Sequence, residues 1–273
     1  MTDQAPTADQ APTADTAGAR VPEILTEVTD GVLIMTINRP RQRNAMTKSA
    51  AEELAAALDR LDDDPGISVG VLAGGGGTFC AGMDLKRFQL GERPVVAGRG
   101  FGGLVQSPPA KPLVAAVEGW ALGGGFEMVL AADLVVAGES AKFGLPEVKR
   151  GLIARAGGIF RTPQVLPRAV ALELLLTGEP MSAAEAERHG LINRVVSDGQ
   201  AVEVARELAA TIAANAPLAV RASKAVARSS RTWTDDEAFA GQVAFTDPVF
   251  ASADAQEGPA AFAERRPPRW TGR

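Results

Sequence analysis

The chain has 273 residues, a net charge of −5 at pH 7 and 46% hydrophobic residues, the balance of an ordinary globular protein. The acidic net charge argues against general binding of nucleic acid or anionic membranes. One cysteine and one histidine exclude an intrachain disulfide, a cysteine-rich zinc site and metal sites built on several histidines. With no tyrosine either, acid–base chemistry must rest on carboxylates, lysine, backbone amides or that one histidine.

Residues 1–20 form a low-complexity segment in which the hexamer DQAPTA occurs twice, starting at Asp3 and at Asp9. The segment has almost no apolar surface to offset the entropy lost on ordering, so we expect it to be disordered. It lacks the basic start and apolar stretch of a signal peptide. Elsewhere in the chain, no apolar run approaches the length of a membrane span. These features predict a cytoplasmic protein.

A strand–helix–strand unit is predicted next. Residues 32–37 (VLIMTI) are typical of a strand, and residues 47–63 show helical spacing of leucines, with Ser49 and Glu52 matching a capping box. Residues 67–73 form the second strand. A βαβ unit of this length favours parallel strand pairing.

Further elements follow in alternation. Residues 112–117 and 133–137 are predicted strands, and residues 123–132 a short helix that opens on glycines. After about residue 165 we expect no further strands. Helices are predicted to start at capping boxes beginning at Ser182 and Thr234, and an apolar stripe from Ala201 to Ile212 predicts an amphipathic helix. This pattern predicts an α/β core followed by a helical C-terminal third.

Two glycine-rich turns, at residues 74–77 and 123–125, match neither the phosphate-loop nor the dinucleotide-binding motif. Each follows a predicted buried strand and leads into a predicted helix. The simpler interpretation is a turn that needs positive φ or close backbone approach. The alternative is an oxyanion hole, because two helix N-termini aimed at one point offer free N–H groups.

Glu127 and Glu147 are candidate acid–base carboxylates. The alternatives are an acid that stabilises a helix N-terminus for Glu127 and a solvated loop residue for Glu147. Asp84 is interpreted as a helix-start acid, His189 as a helix C-terminal residue before Gly190, and Cys80 as a buried thiol of the core. The basic run at 264–269 is a solvated tail or a phosphate-binding segment.

From about residue 24 onward, the chain resembles the crotonase (enoyl-CoA hydratase/isomerase) superfamily. Five segments carry the resemblance in order and spacing: NRPRQRNA at 38–45, FCAGMDL at 79–85, GWALGGGFE at 119–127, FGLPE at 143–147 and EGPAAFAERR at 257–266. The finer resemblance is to bacterial enoyl-CoA hydratases of the carnitinyl-CoA dehydratase-like kind.

The resemblance implies an α/β fold, a crotonase-like spiral of ββα units with a helical C-terminal trimerisation region. It divides the chain into the lead at 1–20, a spiral core with the active site at 21–200, and a helical region at 201–273 for oligomerisation and CoA contact. It implies a homotrimer or a dimer of trimers acting on an acyl-CoA thioester. No cofactor is expected, since coenzyme A is part of the substrate. We also expect no metal and no nucleic-acid or membrane partner.

Residue roles carry over by motif position. Glu127 would activate the water and Glu147 would deliver a proton to the α-carbon, while the N–H groups of Met83 and Gly124 would bind the thioester oxygen. Further substrate and CoA contacts are implied at Arg41, Arg43, Ala45, Ala81, Asp84, Leu85, Lys86 and Trp120, and at Phe262 with Arg265 or Arg266 of a neighbouring subunit.

One departure concerns the acyl pocket. Where hydratases of the family commonly carry IPGAGG, this chain has IARAGG at 153–158. We expect Arg155 to set acyl specificity, by closing the pocket or by pairing with a polar or acidic acyl chain.

The favoured function is an enoyl-CoA hydratase, a hydro-lyase. A carnitinyl-CoA dehydratase or an enoyl-CoA isomerase of the same fold stays open, although an isomerase needs only one acid. A non-catalytic acyl-CoA or RNA-binding protein is the remote alternative. An RNA-binding member would be expected to have a basic helix. The helix at 47–63 is acidic, which counts against this alternative.

Overall fold

The computed structural model describes residues 21–273, so the predicted disorder of residues 1–20 lies outside the described part of the chain. The strands are β1 (Ile24–Thr29), β2 (Val32–Ile37), β3 (Val69–Gly74), β4 (Val95–Val96), β5 (Gly100–Phe101), β6 (Leu113–Val117), β7 (Trp120–Leu122), β8 (Leu134–Gly138), β9 (Lys142–Gly144), β10 (Met181–Ser182) and β11 (Arg194–Val196). The α-helices are α1 (Lys48–Asp63), α2 (Leu85–Gln89), α3 (Gly124–Val129), α4 (Gly158–Val165), α5 (Arg168–Thr177), α6 (Ala183–Arg188), α7 (Ala201–Ala213), α8 (Pro217–Ser229), α9 (Asp235–Phe250) and α10 (Ala253–Glu264).

The main sheet has six strands in the order β1-β2-β3-β6-β8-β11. Strand β1 pairs antiparallel with β2, and every later pairing in this sheet is parallel, from Val32 opposite Val69 at β2–β3 onward. The predicted parallel pairing of β2 and β3 is therefore confirmed. A second sheet, β10-β9-β7, places β7 parallel to β9, and β4 with β5 forms a separate hairpin.

Helices cover both faces of the main sheet because the β2, β3, β6 and β8 side chains are apolar on both faces. Helix α1 buries Leu54, Leu58 and Leu61 completely against one face. Helix α7 buries Ala201, Ala205 and Ala209 against the other, among the valines of β3, β6 and β8. Small alanines let α7 approach the sheet closely, which confirms the apolar stripe predicted there.

The strand prediction was wrong after residue 165, because β10 and β11 are both present. Strand β10 has two residues and β11 three, too short to show an alternating pattern in the sequence. The capping box predicted at Ser49 was also wrong. Thr47 is the N-cap of α1, and its side chain accepts a hydrogen bond from the Ala50 N–H, while the Ser49 hydroxyl donates to Glu53.

The later helix starts are as predicted. Capping boxes join Ser182 with Glu185 at α6 and Thr234 with Glu237 at α9. His189 is the C-cap of α6, directly before Gly190 with φ +80°, as its sequence position predicted.

The C-terminal tail is held onto the helices by carboxylates. Asp254, which is buried in α10, accepts hydrogen bonds from the Thr271 N–H and hydroxyl and from the Gly272 N–H. Glu257 pairs with both terminal nitrogens of Arg266, which helps to bring the pKa of Glu257 down to about 2. The basic run is therefore partly engaged within its own chain. The predicted domain division at residue 200 stays a prediction.

A buried amide joins the two loops that follow β2 and β3. Asn44 is fully buried with φ +55°; its oxygen accepts from the Arg39 N–H, and its nitrogen donates to the carbonyls of Gly75 (2.8 Å) and Thr78 (2.5 Å). The amide nitrogen therefore joins the two loops, while the amide oxygen holds the loop after β2 in shape.

We expect Asn44→Ala to lower the free energy of unfolding by about 3 kcal/mol, because it leaves buried carbonyls and an N–H without partners. Asn38→Ala is the matched control, since its single amide hydrogen bond to the Pro22 carbonyl is exposed. Its expected cost is under about 1 kcal/mol. Urea unfolding followed by circular dichroism measures both; equal losses would contradict this account of Asn44.

Candidate active site

The segment after β3 runs beside β7 in the second sheet. The Cys80 N–H donates to the Trp120 carbonyl (2.9 Å), and the Leu122 N–H donates to the Cys80 carbonyl (3.0 Å). These hydrogen bonds form a parallel bridge between Cys80 and Ala121. As a result, the segment that follows the first glycine-rich turn lies beside the strand that leads into the second, although Cys80 and Trp120 are 40 residues apart along the chain.

Two backbone donors without acceptors lie where these segments meet. Gly82 has φ +95°, and a Cβ placed on it would come within 2.8 Å of the Leu122 carbonyl and 3.4 Å of the Gly124 nitrogen. Neither the Met83 N–H nor the Gly124 N–H donates to any acceptor within residues 21–273. The structure therefore places these two donors in neighbouring segments, as the oxyanion interpretation requires.

The start of α3 is packed too tightly for side chains. A Cβ on Gly125 would lie 2.2 Å from the Cys80 carbonyl oxygen, and a Cβ on Gly124 would lie 2.2 Å from the ring of Phe101. The simpler interpretation of residues 123–125, close backbone approach, is thus correct for the glycines. It is compatible with the oxyanion interpretation, since the same approach brings the free N–H groups together.

Glu127 lies on α3, one turn after the free N–H of Gly124, and is only 3% exposed. Its Oε1 atom accepts hydrogen bonds from the N–H groups of Ala156 (2.7 Å) and Gly158 (2.8 Å). Burial raises the pKa of Glu127, while these two donors and the charge of Arg161 act in the opposite direction.

Glu147 lies at the start of the 3-10 turn Pro146–Arg150, directly after β9. Its Oε2 atom is enclosed and has no hydrogen-bond partner in the described residues. A Cβ placed on Gly123 would lie 3.0 Å from its Oε1 atom, so the carboxyl group packs against the turn that opens α3. Burial and then the charge of Glu127 raise the pKa of Glu147.

The surroundings of the two carboxyls favour one order of protonation. The N–H groups on Glu127 stabilise its ionised form, whereas the unpartnered oxygen of Glu147 and the nearby Glu127 charge favour the neutral form of Glu147. Two carboxyls that interact titrate as a pair, and these surroundings favour the proton on Glu147 over the proton on Glu127. This arrangement can supply a base and an acid at one place.

The residues implied for CoA contact fall into one group near Met83. The loop at 41–45 joins this region through the Ala81 N–H, which donates to the Arg43 carbonyl (3.0 Å). Trp120 is 41% exposed, and Arg41, Arg43, Leu85 and Lys86 are also exposed. Asp84 is the N-cap of α2 and pairs with Arg39, as expected for a helix-start acid.

Three other residues predicted to contact substrate or CoA lie away from the group near Met83. Arg155 is exposed, next to the Ala156 N–H that binds Glu127. Phe262 is 87% exposed on α10, and Arg265 is the C-cap of that helix. No hydrogen bond or ion pair joins either Phe262 or Arg265 to the two glutamates within the described chain.

Sequence analysis missed the groups that hold Glu127. The donors are backbone N–H groups of Ala156 and Gly158, which carry no side-chain signature. The Gly157–Gly158 pair was the available signal, because Gly157 adopts φ +111° at the N-cap of α4. The cover that Phe101 provides over Gly124 was missed as well.

Two other classes of site find no support in the described residues. Within residues 21–273 there is no group of three or more His, Cys, Asp or Glu side chains placed to bind a metal ion. The same residues include no helix long and apolar enough to cross a membrane.

Cys80 is fully buried, as predicted for a core thiol. Burial raises its pKa to about 12. The thiolate that a nucleophile requires is therefore disfavoured.

Sequence comparison identifies relatives over nearly the whole chain. The family model described as "Enoyl-CoA hydratase/isomerase" matches residues 27–273. A carnitinyl-CoA dehydratase of Proteus mirabilis is 42% identical over 250 residues, 89% of this chain and 95% of the relative. An enoyl-CoA hydratase of Mycobacterium tuberculosis is 43% identical over 263 residues, 92% of this chain and 97% of the relative.

Solved structures agree with this relationship. A crystal structure of an enoyl-CoA hydratase from Mycobacterium tuberculosis superposes with a TM-score of 0.91 at 53% identity, covering 93% of this chain and 100% of that one. A carnitinyl-CoA hydratase from Mycobacterium avium superposes with a TM-score of 0.75 at 47% identity, with the same coverage. The predicted fold class is confirmed.

We expect the native protein to be inert towards Ellman's reagent at pH 8, because Cys80 is enclosed and its pKa lies far above that pH. After denaturation in guanidinium chloride, the chain should release one equivalent of the coloured thiolate. Stoichiometric reaction of the native protein, with loss of activity, would contradict the assignment of Cys80 to the core.

Proposed function

The chain belongs to the enoyl-CoA hydratase/isomerase family, and from this membership we propose a hydro-lyase that reversibly adds water across the 2,3 double bond of a 2-enoyl-CoA. The observation that carries the proposal is the pair of enclosed carboxyls, Glu127 and Glu147, beside the free N–H groups of Met83 and Gly124. Enoyl-CoA hydratase relatives at 42–53% identity support the same reaction class.

The free N–H groups of Met83 and Gly124 would bind the thioester carbonyl oxygen. Attack of water at carbon 3 pushes electron density through the double bond onto that oxygen, so an enolate charge develops there. Donors that are already in place stabilise this charge without reorganising, and the loss of one such donor typically costs about 3–4 kcal/mol in the transition state.

Glu127 would act as the base and Glu147 as the acid. The ionised Glu127 takes a proton from water while the water oxygen forms its bond to carbon 3. In the same step Glu147 gives its proton to carbon 2, and the thioester carbonyl is restored. As the family resemblance implies, both carboxyls would face one side of the double bond, so hydroxyl and proton would add to the same face, a syn addition.

A carnitinyl-CoA dehydratase is the second candidate, since relatives of that name match over 95% of their length. Its chemistry would use the same two carboxyls on a charged acyl chain. An enoyl-CoA isomerase needs one acid only, and a non-catalytic acyl-CoA or RNA-binding protein needs none, so the two enclosed carboxyls count against both.

The CoA moiety would lie along the exposed residues near Met83. We infer contacts from Arg41, Arg43 and Lys86 to its phosphates, because these side chains are cationic, exposed and near the loop at 41–45. Phe262 and Arg265 of a neighbouring subunit would add further contacts to the CoA moiety. The reaction as proposed needs no cofactor. Action in the cytoplasm without a nucleic-acid or membrane partner stays a prediction from composition.

The exposed apolar side chains of the C-terminal helices support the proposed assembly into oligomers. Helix α9 buries no residue within its own chain, yet it carries Phe239 and Phe250, which are 79% and 78% exposed. Large exposed apolar side chains of this kind are expected at a subunit interface.

We expect the purified protein to form a trimer or a hexamer of 28.3 kDa chains, which light scattering after size exclusion measures. A monomer at micromolar concentration that retains full turnover would contradict the proposed assembly.

Replacing either glutamate by glutamine should lower kcat for crotonyl-CoA hydration by roughly 10²–10⁴-fold with little change in acyl-CoA affinity, since the amide keeps the shape and removes the proton transfer. Glu147→Gln should also slow exchange of the α-proton in deuterated water. The double variant should be little worse than either single one, because both carboxyls act in one step. Loss of the conjugated thioester absorbance measures the rates.

The control is Glu139→Gln, an exposed carboxyl after β8, which should keep the wild-type rate. Hydration at the wild-type rate by Glu127→Gln would overturn the hydratase assignment. Binding of acyl-CoA without hydration of any enoyl-CoA by the wild type would favour the isomerase or binding alternative.

Arg155 is expected to set acyl specificity. Replacing it with glycine should raise kcat/KM for apolar enoyl-CoAs relative to polar or acidic ones, because the cation that would pair with an acidic acyl chain is removed. Arg155→Lys, which keeps the charge, should keep the wild-type preference. An equal loss on all substrates would assign Arg155 a structural or catalytic role instead.

A further inference from the structure

Arg161 is an arginine of α4 whose guanidinium is partly enclosed. Its Nη2 atom donates a hydrogen bond to the Val105 carbonyl (2.6 Å). Its Nη1 atom is buried and has no hydrogen-bond partner within residues 21–273. A buried cationic N–H group without an acceptor is costly, so its placement calls for a reason beyond the packing of α4.

The guanidinium packs against the turn that holds Glu127. A Cβ placed on Gly157 would lie 2.6 Å from Nη1 and 3.2 Å from Cζ of Arg161, so a side chain there would displace the guanidinium from its present position. Gly157 is the middle residue of the turn whose flanking N–H groups, of Ala156 and Gly158, bind the Glu127 carboxylate. The side chain therefore supports this turn directly.

The hydrogen bond from Arg161 to Val105 connects this side chain to the loop beside Gly124. Val105 follows β5, and its N–H donates to the carbonyl of Phe101. Phe101 is the side chain that covers Gly124. One guanidinium thus connects the turn that holds Glu127 with the loop that covers Gly124.

The charges around these groups come from several elements. Glu127 faces Arg161 from α4 and Glu147 from the 3-10 turn after β9. Arg161 in turn faces Glu127, and also Arg228 at the end of α8 and Arg231 in the 3-10 turn that follows. The other two arginines repel Arg161, so Glu127 is the acid that favours its charged form.

We propose that Arg161 is a positioning residue, whose guanidinium fixes the Ala156–Gly158 turn and whose charge keeps Glu127 in the ionised form that accepts a proton from water. This inference rests on the proposed role of Glu127 as the base. It makes Arg161 act through Glu127, without contact with the substrate.

The test compares Arg161→Met and Arg161→Lys, with Arg168→Met as an exposed control on α5. The dependence of kcat on pH is measured with saturating crotonyl-CoA. The protonation of Glu127 is measured separately, as the carboxyl infrared band that disappears in the Glu127→Gln variant of each protein.

Arg161→Met should lower kcat at its optimum roughly 10- to 100-fold, with little change in KM, because the turn is displaced. The acid limb of the profile and the infrared midpoint should both move to higher pH, because Glu127 loses a nearby cation. Arg161→Lys should keep both midpoints near the wild type, and Arg168→Met should match the wild type throughout.

A midpoint that is unchanged in a folded Arg161→Met protein would overturn the electrostatic role. If the methionine variant does not fold, the lysine variant decides: a lowered kcat with an unchanged midpoint supports the proposal, and a raised midpoint overturns it. Suppose the wild type hydrates no enoyl-CoA, while the infrared midpoint of Glu127 is still higher in the Arg161→Met variant. That result would reject the proposed function and leave the electrostatic effect of Arg161 on Glu127 standing.

Discussion

The candidate site depends on how closely the start of α3 approaches the segment that follows β3. Gly125 lies against the Cys80 carbonyl, and Gly82 lies against the Leu122 carbonyl, at separations that no side chain permits. Because the backbones touch, the N–H groups of Met83 and Gly124 lie side by side with no acceptor of their own in the described chain. Asn44 contributes by holding the loops after β2 and β3 together.

The second constraint is the burial of ionisable groups. An enclosed carboxylate is unfavourable unless hydrogen bonds or a cation compensate for lost hydration. For Glu127, two backbone N–H groups and Arg161 provide this compensation, while one oxygen of Glu147 receives none. In the proposed reaction, this difference would separate the base from the acid among two residues of the same chemistry. It also means that residues far along the chain, at 156–161, control a carboxyl on α3.

The sequence by itself determined several parts of this protein. Parallel pairing of β2 with β3, the apolar stripe of α7 and the capping boxes at Ser182 and Thr234 follow from local spacing and composition, which act within a few residues. The five motifs identified the family and nominated Glu127 and Glu147. The burial of Cys80 and the C-cap position of His189 were predicted in the same way.

Only the tertiary structure decided how these pieces meet. The N-cap of α1 is Thr47 and not the predicted Ser49, because Thr47 is the residue whose backbone is extended before the first turn. Strands β10 and β11 form because neighbouring strands β9 and β8 offer them partners, a contribution that no local pattern records. Glu127 is held by backbone N–H groups about 30 residues away, and the charge of Arg161 lies nearby. Local periodicity predicts an element from its own residues, whereas the environment of a buried carboxyl is set by groups that only folding brings together.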